Sequence, residues 1–214
     1  MKASLFHVVV ACELLLPVVA VAGQAPGGSG PSVRDVVVSY LEGLKNLDQD
    51  QMNRSLADSA TTRSLGGDES RIDVNASRRM RDFERGVNTW WQYTIVDVTG
   101  ERVTVELQEG NDFYDLLGVG ARTQTTHYFV GGGRIIRMET TARKHGSGDF
   151  ASVYEAFKKW LFTTPAARDS RIAGDGVLIF DGDSARLLRR WLVRWAAERR
   201  PRDVSQMRRG GHRL

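Results

Sequence analysis

Apolar residues first recur at helical spacing at Val33, Val36, Val37, Tyr40, Leu41 and Leu44, one stripe of a 3.6-residue period. Ser32 precedes the stripe and Asp35 follows three residues later, the spacing of a capping box, so a helix is predicted from Val33. Asp48 and Gln51 repeat the start signal for a second, shorter helix lined by Met52 and Leu56, with helical residues running to Ala60. Thr61 to Ile72 is polar and contains glycine, which reads as a loop, and Ala76, Met80, Phe83 and Val87 mark a third helix. After Asn88 the period falls to two. Thr89 to Val98 is rich in aromatic and β-branched residues, Thr99-Gly100-Glu101 makes a turn, and Val103, Val105 and Leu107 alternate with Thr104, Glu106 and Gln108, so an antiparallel hairpin is expected. Asn111 to Gly120 reads as a loop. A second hairpin pairs Arg122 to Val130 with Arg134 to Ala142 across Gly131-Gly132-Gly133. A phosphate cradle needs a helix N-terminus after its glycines, and here a strand follows, so the three glycines read as a turn. Further on, Val153, Phe157, Trp160 and Leu161 form one helical face, and Leu188, Trp191, Leu192 and Trp195 another, with Arg186, Arg190 and Arg194 opposite.

Three helices followed by a sheet, with Val36-Val37-x-x-Tyr40, Leu44, Asp48-x-Asp50, Leu56-Ala57-Asp58-x-Ala60 and the strand-turn-strand from Phe129 to Ile136, resemble the nuclear transport factor 2-like superfamily. The likeness is to its SnoaL-like domains and, more distantly, to ketosteroid isomerase and polyketide cyclases, and it covers about Val33 to Arg143. It implies an α+β, cone-shaped fold with three N-terminal helices packed on a curved antiparallel sheet, a pocket between them, and a homodimer formed through the sheet. The two C-terminal helices fall outside it as an addition. Such a fold hosts many chemistries, so function has to be argued from the pocket.

Laid without gaps on ketosteroid isomerase, Tyr40 falls where that enzyme's tyrosine donates a hydrogen bond to the developing enolate oxygen. Ser64 falls where it has its proton-abstracting aspartate, and Thr125 where it has a protonated aspartic acid. A hydroxyl does not replace a carboxylate as a general base at neutral pH without an activating partner, so that mechanism is not expected to carry over. Strand parity in the same register puts Thr125, His127 and Phe129 on the concave face, with Ile136 and Met138 opposite. His127 is then either an acid/base group working with Tyr40 as donor, or a histidine satisfied by neighbouring hydroxyls or a backbone carbonyl. Trp91 and Tyr93 alternate inward with Ile95, as a stacking wall or as core. Asp112, Tyr114 and Asp115 border the mouth. The candidate catalytic residues are His127 and Tyr40, and the candidate ligand-binding set is Tyr40, Trp91, Tyr93, Tyr114, Thr125, His127 and Met138.

Composition adds bounds. At 214 residues, 41% hydrophobic and 26% charged, the chain suits one domain with a sizeable core and appendages. The net charge of +4 is concentrated at the C-terminus, from Arg186 to Arg213. Packing of the basic helix on the domain is expected, with no nucleic-acid partner and no membrane contact. Met1-Lys2, the apolar stretch from Leu5 to Ala22 and the small residues of Ala20-Val21-Ala22 read as a signal peptide cleaved near Ala22, although Glu13 within it costs about 2.5–3.5 kcal/mol at the centre of an inserting helix. The sole cysteine, Cys12, lies in that leader, so thiol and disulfide chemistry are excluded from the mature chain. His7, His127, His145 and His212 are scattered, so no metal is expected, and no cofactor is implied. The expected organisation is a signal peptide over 1–22, a flexible leader over 23–32, a SnoaL-like domain over 33–143, a helical extension over 144–200 and a basic disordered tail over 201–214. The expected function is an exported protein, secreted or periplasmic, that binds a small apolar or aromatic molecule. The alternative is an acid/base isomerase, dehydratase or cyclase using His127 and Tyr40.

Overall fold

Ser32 opens the ordered architecture by a reciprocal cap: its hydroxyl accepts from the Asp35 N–H at 3.2 Å while the Asp35 carboxylate accepts from the Ser32 N–H at 3.2 Å. The computed structural model describes residues 30–147, 149–167, 171–174 and 177–199, so the expected signal peptide, most of the leader and the basic tail lie outside the described residues. Everything below belongs to the unit that begins at Pro31. Helix α1 (Val33–Lys45) buries Val36, Val37, Tyr40, Leu41 and Leu44. Helix α2 (Gln49–Ser55) is capped by Asp48, whose side chain accepts from the N–H groups of Asp50 and Gln51.

The helix expected to continue to Ala60, and the loop expected over Thr61 to Ile72, give way to strand β1 (Leu56–Ser64) and a short β2 (Ser70–Arg71). Leu56 and Ala60, both buried, are four apart, a spacing that suits one helical face and equally one face of a strand. The ladder decided between them. Helix α3 (Val74–Gly86) follows, capped by Asp73, and then β3 (Trp90–Thr99) and β4 (Arg102–Gly110) form the first hairpin. The loop expected after Gly110 contains a helix, α4 (Asp112–Leu117), with Asn111 capping the Tyr114 N–H at 2.8 Å and Gly118 closing it in the left-handed region at φ 73°. Six residues are too few for a period to declare itself. Strands β5 (Arg122–Gly131) and β6 (Arg134–His145) make the second hairpin, and helices α5 (Phe150–Thr163) and α6 (Gly182–Arg199) complete the chain.

The class is α+β, as expected, with helices on a six-stranded sheet of order β2-β1-β6-β5-β4-β3. The sheet is mixed where an antiparallel one was expected: β1 runs parallel to β6. A parallel partner reaches β6 only by a long crossover, here α3, the first hairpin, α4 and β5. The hydrophobic interior is in two parts. One holds α1, α2 and the sheet, with Tyr40, Leu41, Val103, Val105, Tyr128 and Ile135 at its centre. The other joins α3 and α4 to α5 and α6 through Phe83, Val87, Phe113, Phe157, Leu188 and Leu192. Gly86 lets α3 and α6 approach, since a Cβ there would stand 2.4 Å from the Cβ of Ala185. Asp112 at the start of α4 accepts from Asn88 Nδ2 and pairs with Arg189 Nε, both at 2.8 Å, tying α4 to α6.

Candidate functional site

The register of β3, β4, β5 and β6 sets Trp91, Glu109, Arg122 and His145 in one row across the sheet, and Tyr93, Leu107, Gln124 and Arg143 in the next. Alternation along β4 and β5 turns Val103, Val105, Leu107 and Glu109, and then Gln124, Thr126, Tyr128 and Val130, to the helix side. Above these rows is a cavity of about 530 Å³ at the seam of the two cores. Tyr40, Leu44, Leu107, Tyr128 and Met138 line it from the first core, and Phe83, Phe113 and Tyr114 from the second. The C-terminal extension adds Phe150, Tyr154 and Phe180 to the wall.

Five charged side chains face this space: Arg81, Glu84, Glu109, Arg122 and Arg143. Glu109 and Arg122 are direct cross-strand partners and form an ion pair, and the same carboxylate accepts from Asn111 Nδ2 and from the Tyr114 hydroxyl, each at 3.2 Å. Burial raises the Glu109 pKa, against the pull of Arg122 and the Tyr114 hydrogen bond. Glu84, on the buried side of α3, is 5% exposed. Its Oε2 is 2.5 Å from Arg81 Nη1, but the angles do not make a hydrogen bond, so Arg81 Nε and Nη1 and Glu84 Oε2 keep unused bonding capacity. Burial pushes the Glu84 carboxyl up to about 7. Arg81 opposes the rise, the Glu109 charge adds to it, and the Trp91 indole N–H lowers it. The same indole N–H has no hydrogen bond of good geometry, and neither do Arg122 Nε and Gln124 Oε1. Burial pushes the Tyr40 phenol up to about 12, so it is a neutral donor at any physiological pH.

The cavity brings together Tyr40, Trp91, Tyr114 and Met138 from the sequence-derived set, as well as Ser64. It does not include the other three. Tyr93 packs on the edge of the first core and donates its hydroxyl to Glu42 Oε1 at 2.6 Å. Thr125 and His127 are on the far face of the sheet, because the inward positions of β5 are Arg122, Gln124, Thr126, Tyr128 and Val130, one residue out of step with the expected parity. His127 Nδ1 is 3.0 Å from Thr104 Oγ1, and its cross-strand neighbour on β6 is Glu139, which Arg63 pairs. Tyr40 and His127 are therefore on opposite sides of the sheet, and chemistry shared between them is ruled out. Apolarity could not decide this parity, since Tyr128 and Val130 on one face are matched by Phe129 on the other and the inward face ends in Arg122 and Gln124. In addition, β6 has a register shift opposite Phe129 and Val130, which breaks parity across the turn: Ile135 and Met138 both face inward, three residues apart.

The sequence reading missed Arg81, Glu84, Glu109, Arg122, Gln124 and Arg143. Two were within reach: Glu84 sits in the helical stripe between Met80 and Val87, and Glu109 is the next inward position after Val103, Val105 and Leu107. A charge in an apolar stripe is the signal. The others carry none.

No family model matches the sequence, and neither does any curated protein. Among solved structures, several are similar to part of the chain. A nuclear transport factor 2-like protein of unknown function from Cytophaga hutchinsonii is 13% identical, over 51% of this chain and 88% of that one, with a TM-score of 0.38. An uncharacterized cystatin-fold protein from Novosphingobium aromaticivorans is 15% identical, over 53% of this chain and 100% of that one, with a TM-score of 0.43. An LEH-like epoxide hydrolase from M. tuberculosis is 18% identical, over 57% of this chain and 86% of that one, with a TM-score of 0.40.

Proposed function

We propose that this protein binds a small apolar or aromatic molecule in the cavity between its two cores and moves a proton on it, with Glu84 as the acid/base group. The observation that carries this reading is a buried carboxylate with an unused oxygen, opening on a cavity of about 530 Å³ and held near pKa 7 by burial. A base is most effective when its pKa lies near the working pH, and burial is the usual means of bringing a glutamate there. Tyr40 supplies a neutral O–H on the same cavity, and Arg81 and the Trp91 N–H are further donors for negative charge developing on a substrate oxygen. The reaction class is proton transfer at a carbon beside a carbonyl, the step common to isomerisation, dehydration and cyclisation.

The test is deuterium uptake from D₂O into a panel of cyclic and aryl ketones, followed by NMR, for the wild type and Glu84→Gln. Exchange by the wild type should rise through pH about 7 and fall by roughly 10²-fold or more in the variant, with ketone binding retained. Undiminished exchange in the variant would remove Glu84 from the chemistry, and binding without exchange in both proteins would leave a binding module. Export and association through the sheet belong to the same proposal. Export is supported by the Leu5 to Ala22 stretch and checked by the intact mass of protein from its native source, which should lack residues 1–22. Association has the exposed Trp90 and Ile136 as adhesive surface and is checked by sedimentation velocity.

A further inference from the structure

The charges lining the cavity do not balance. Arg81 has Glu84, and Arg122 has Glu109, whose oxygens already serve Arg122, Asn111 and Tyr114. Arg143, itself an exposed residue, lines the same space and has no carboxylate within ion-pair distance among the described residues. It stands directly across from Gln124, and Arg122 stands across from His145, so the two arginines are diagonal neighbours on the inward face, a relation that spaces residues by roughly 7–8 Å. Two guanidinium groups facing one partly enclosed space repel each other, and an anion between them removes that repulsion while pairing both. Arg122 Nε, buried and without a partner, and Gln124 Oε1, likewise, add an unused donor and an unused acceptor at the same place. Beside this polar end, Phe150 stacks on His145 and Tyr154 on Phe150, and with Phe180 they give the cavity an aromatic wall.

We infer that the ligand is a carboxylic acid, its carboxylate held by Arg143 and Arg122, its apolar or aromatic body against the wall supplied by the C-terminal extension. A hydroxyl on that body would satisfy Gln124. The inference rests on the cavity reading above and narrows its substrate class from small apolar molecules to apolar acids. A carboxylate beside two arginines is stabilised by charge-assisted bonds, so an acid is preferred over the alcohol of the same shape by at least about tenfold.

Isothermal titration calorimetry at pH 8 tests this with two matched pairs, 1-naphthoate against 1-naphthalenemethanol and hexanoate against hexanol, on the wild type and Arg143→Gln. At least one acid should bind the wild type at least about tenfold more tightly than its alcohol. Arg143→Gln should erase that preference by weakening the acid alone. Equal binding of acid and alcohol by the wild type, or an equal loss of both in the variant, overturns the inference and leaves the cavity reading intact. Failure of both acids and both alcohols to bind overturns the two together. A wild-type measurement stands apart from the variant's folding: acid affinity should fall between about 20 and 200 mM salt while alcohol affinity does not, and a salt-independent acid overturns the inference.

Discussion

Between pH about 4.5 and about 7 the folded chain keeps a proton on Glu84 that the unfolded chain has already released. The native state binds more protons across that window, so stability falls as pH rises through it, and the full penalty, about 3 kcal/mol, is present above the folded pKa. Glu84→Gln removes the ionisation. The variant should match the wild type near pH 4, exceed it in melting temperature at pH 8, and show a flatter melting profile between; an unchanged profile by calorimetry would mean that Glu84 is not the buried titrating group. A site residue that lowers the stability of its own fold is a common trade of function against stability. At this scale the sequence was half legible. Tyr40 and Trp91 were found because aromatic residues on periodic elements announce where they point. Glu84 and Glu109 were passed over although they sit at apolar positions of an otherwise regular pattern. Arg122, Gln124 and Arg143 were hidden for a physical reason: β5 carries apolar residues on both faces and its inward face turns polar toward Arg122, so alternation left the parity open and the register taken from the resemblance favoured His127.

Among the elements, those with long periods or strong caps were legible: α1 from its stripe and capping box, α2 from Asp48, and both hairpins from alternation and their glycine turns. Those decided by distant partners were not. β1 exists because β6 offers it a ladder, and α4 because Asn111 and Gly118 bracket six residues that the second core can bury. Helix α6 likewise starts at a local cap. Asp181 caps it, accepting from the Ser184 N–H at 2.8 Å. The meeting of α3 with α6 gives the element-scale prediction. Alanine improves helix propensity over glycine, yet Gly86→Ala places a methyl 2.4 Å from the Ala185 Cβ and should destabilise the protein by about 1–3 kcal/mol in urea titrations. Adding Ala185→Gly should recover part of that loss; a neutral or stabilising Gly86→Ala would show that the two helices are not held at this separation.

For the whole molecule, the expected division between a domain ending at Arg143 and an added extension does not follow the packing. Strand β6 runs on to His145, and α5 and α6 share a core with α3 and α4. The extension completes the interior. A chain ending at Ser147 would uncover Phe83, Val87, Phe113 and Leu117 together, and should lose its cooperative thermal transition and bind a hydrophobic dye. A sharp transition in that shortened chain would show that the α1-and-sheet core stands alone.

The seam between the two cores bears on how the protein comes apart. A cavity at the seam leaves the two cores fewer contacts there, and partial opening along it is expected to cost less than global unfolding. A ligand seated there touches Tyr40 and Tyr128 on one side and Phe83 and Phe150 on the other, so its binding free energy works as mortar between two courses that otherwise meet across a void. Amide protons in α5 and α6 would then report occupancy without touching the ligand: their exchange slows when the seam is filled, and the two halves come to open as one.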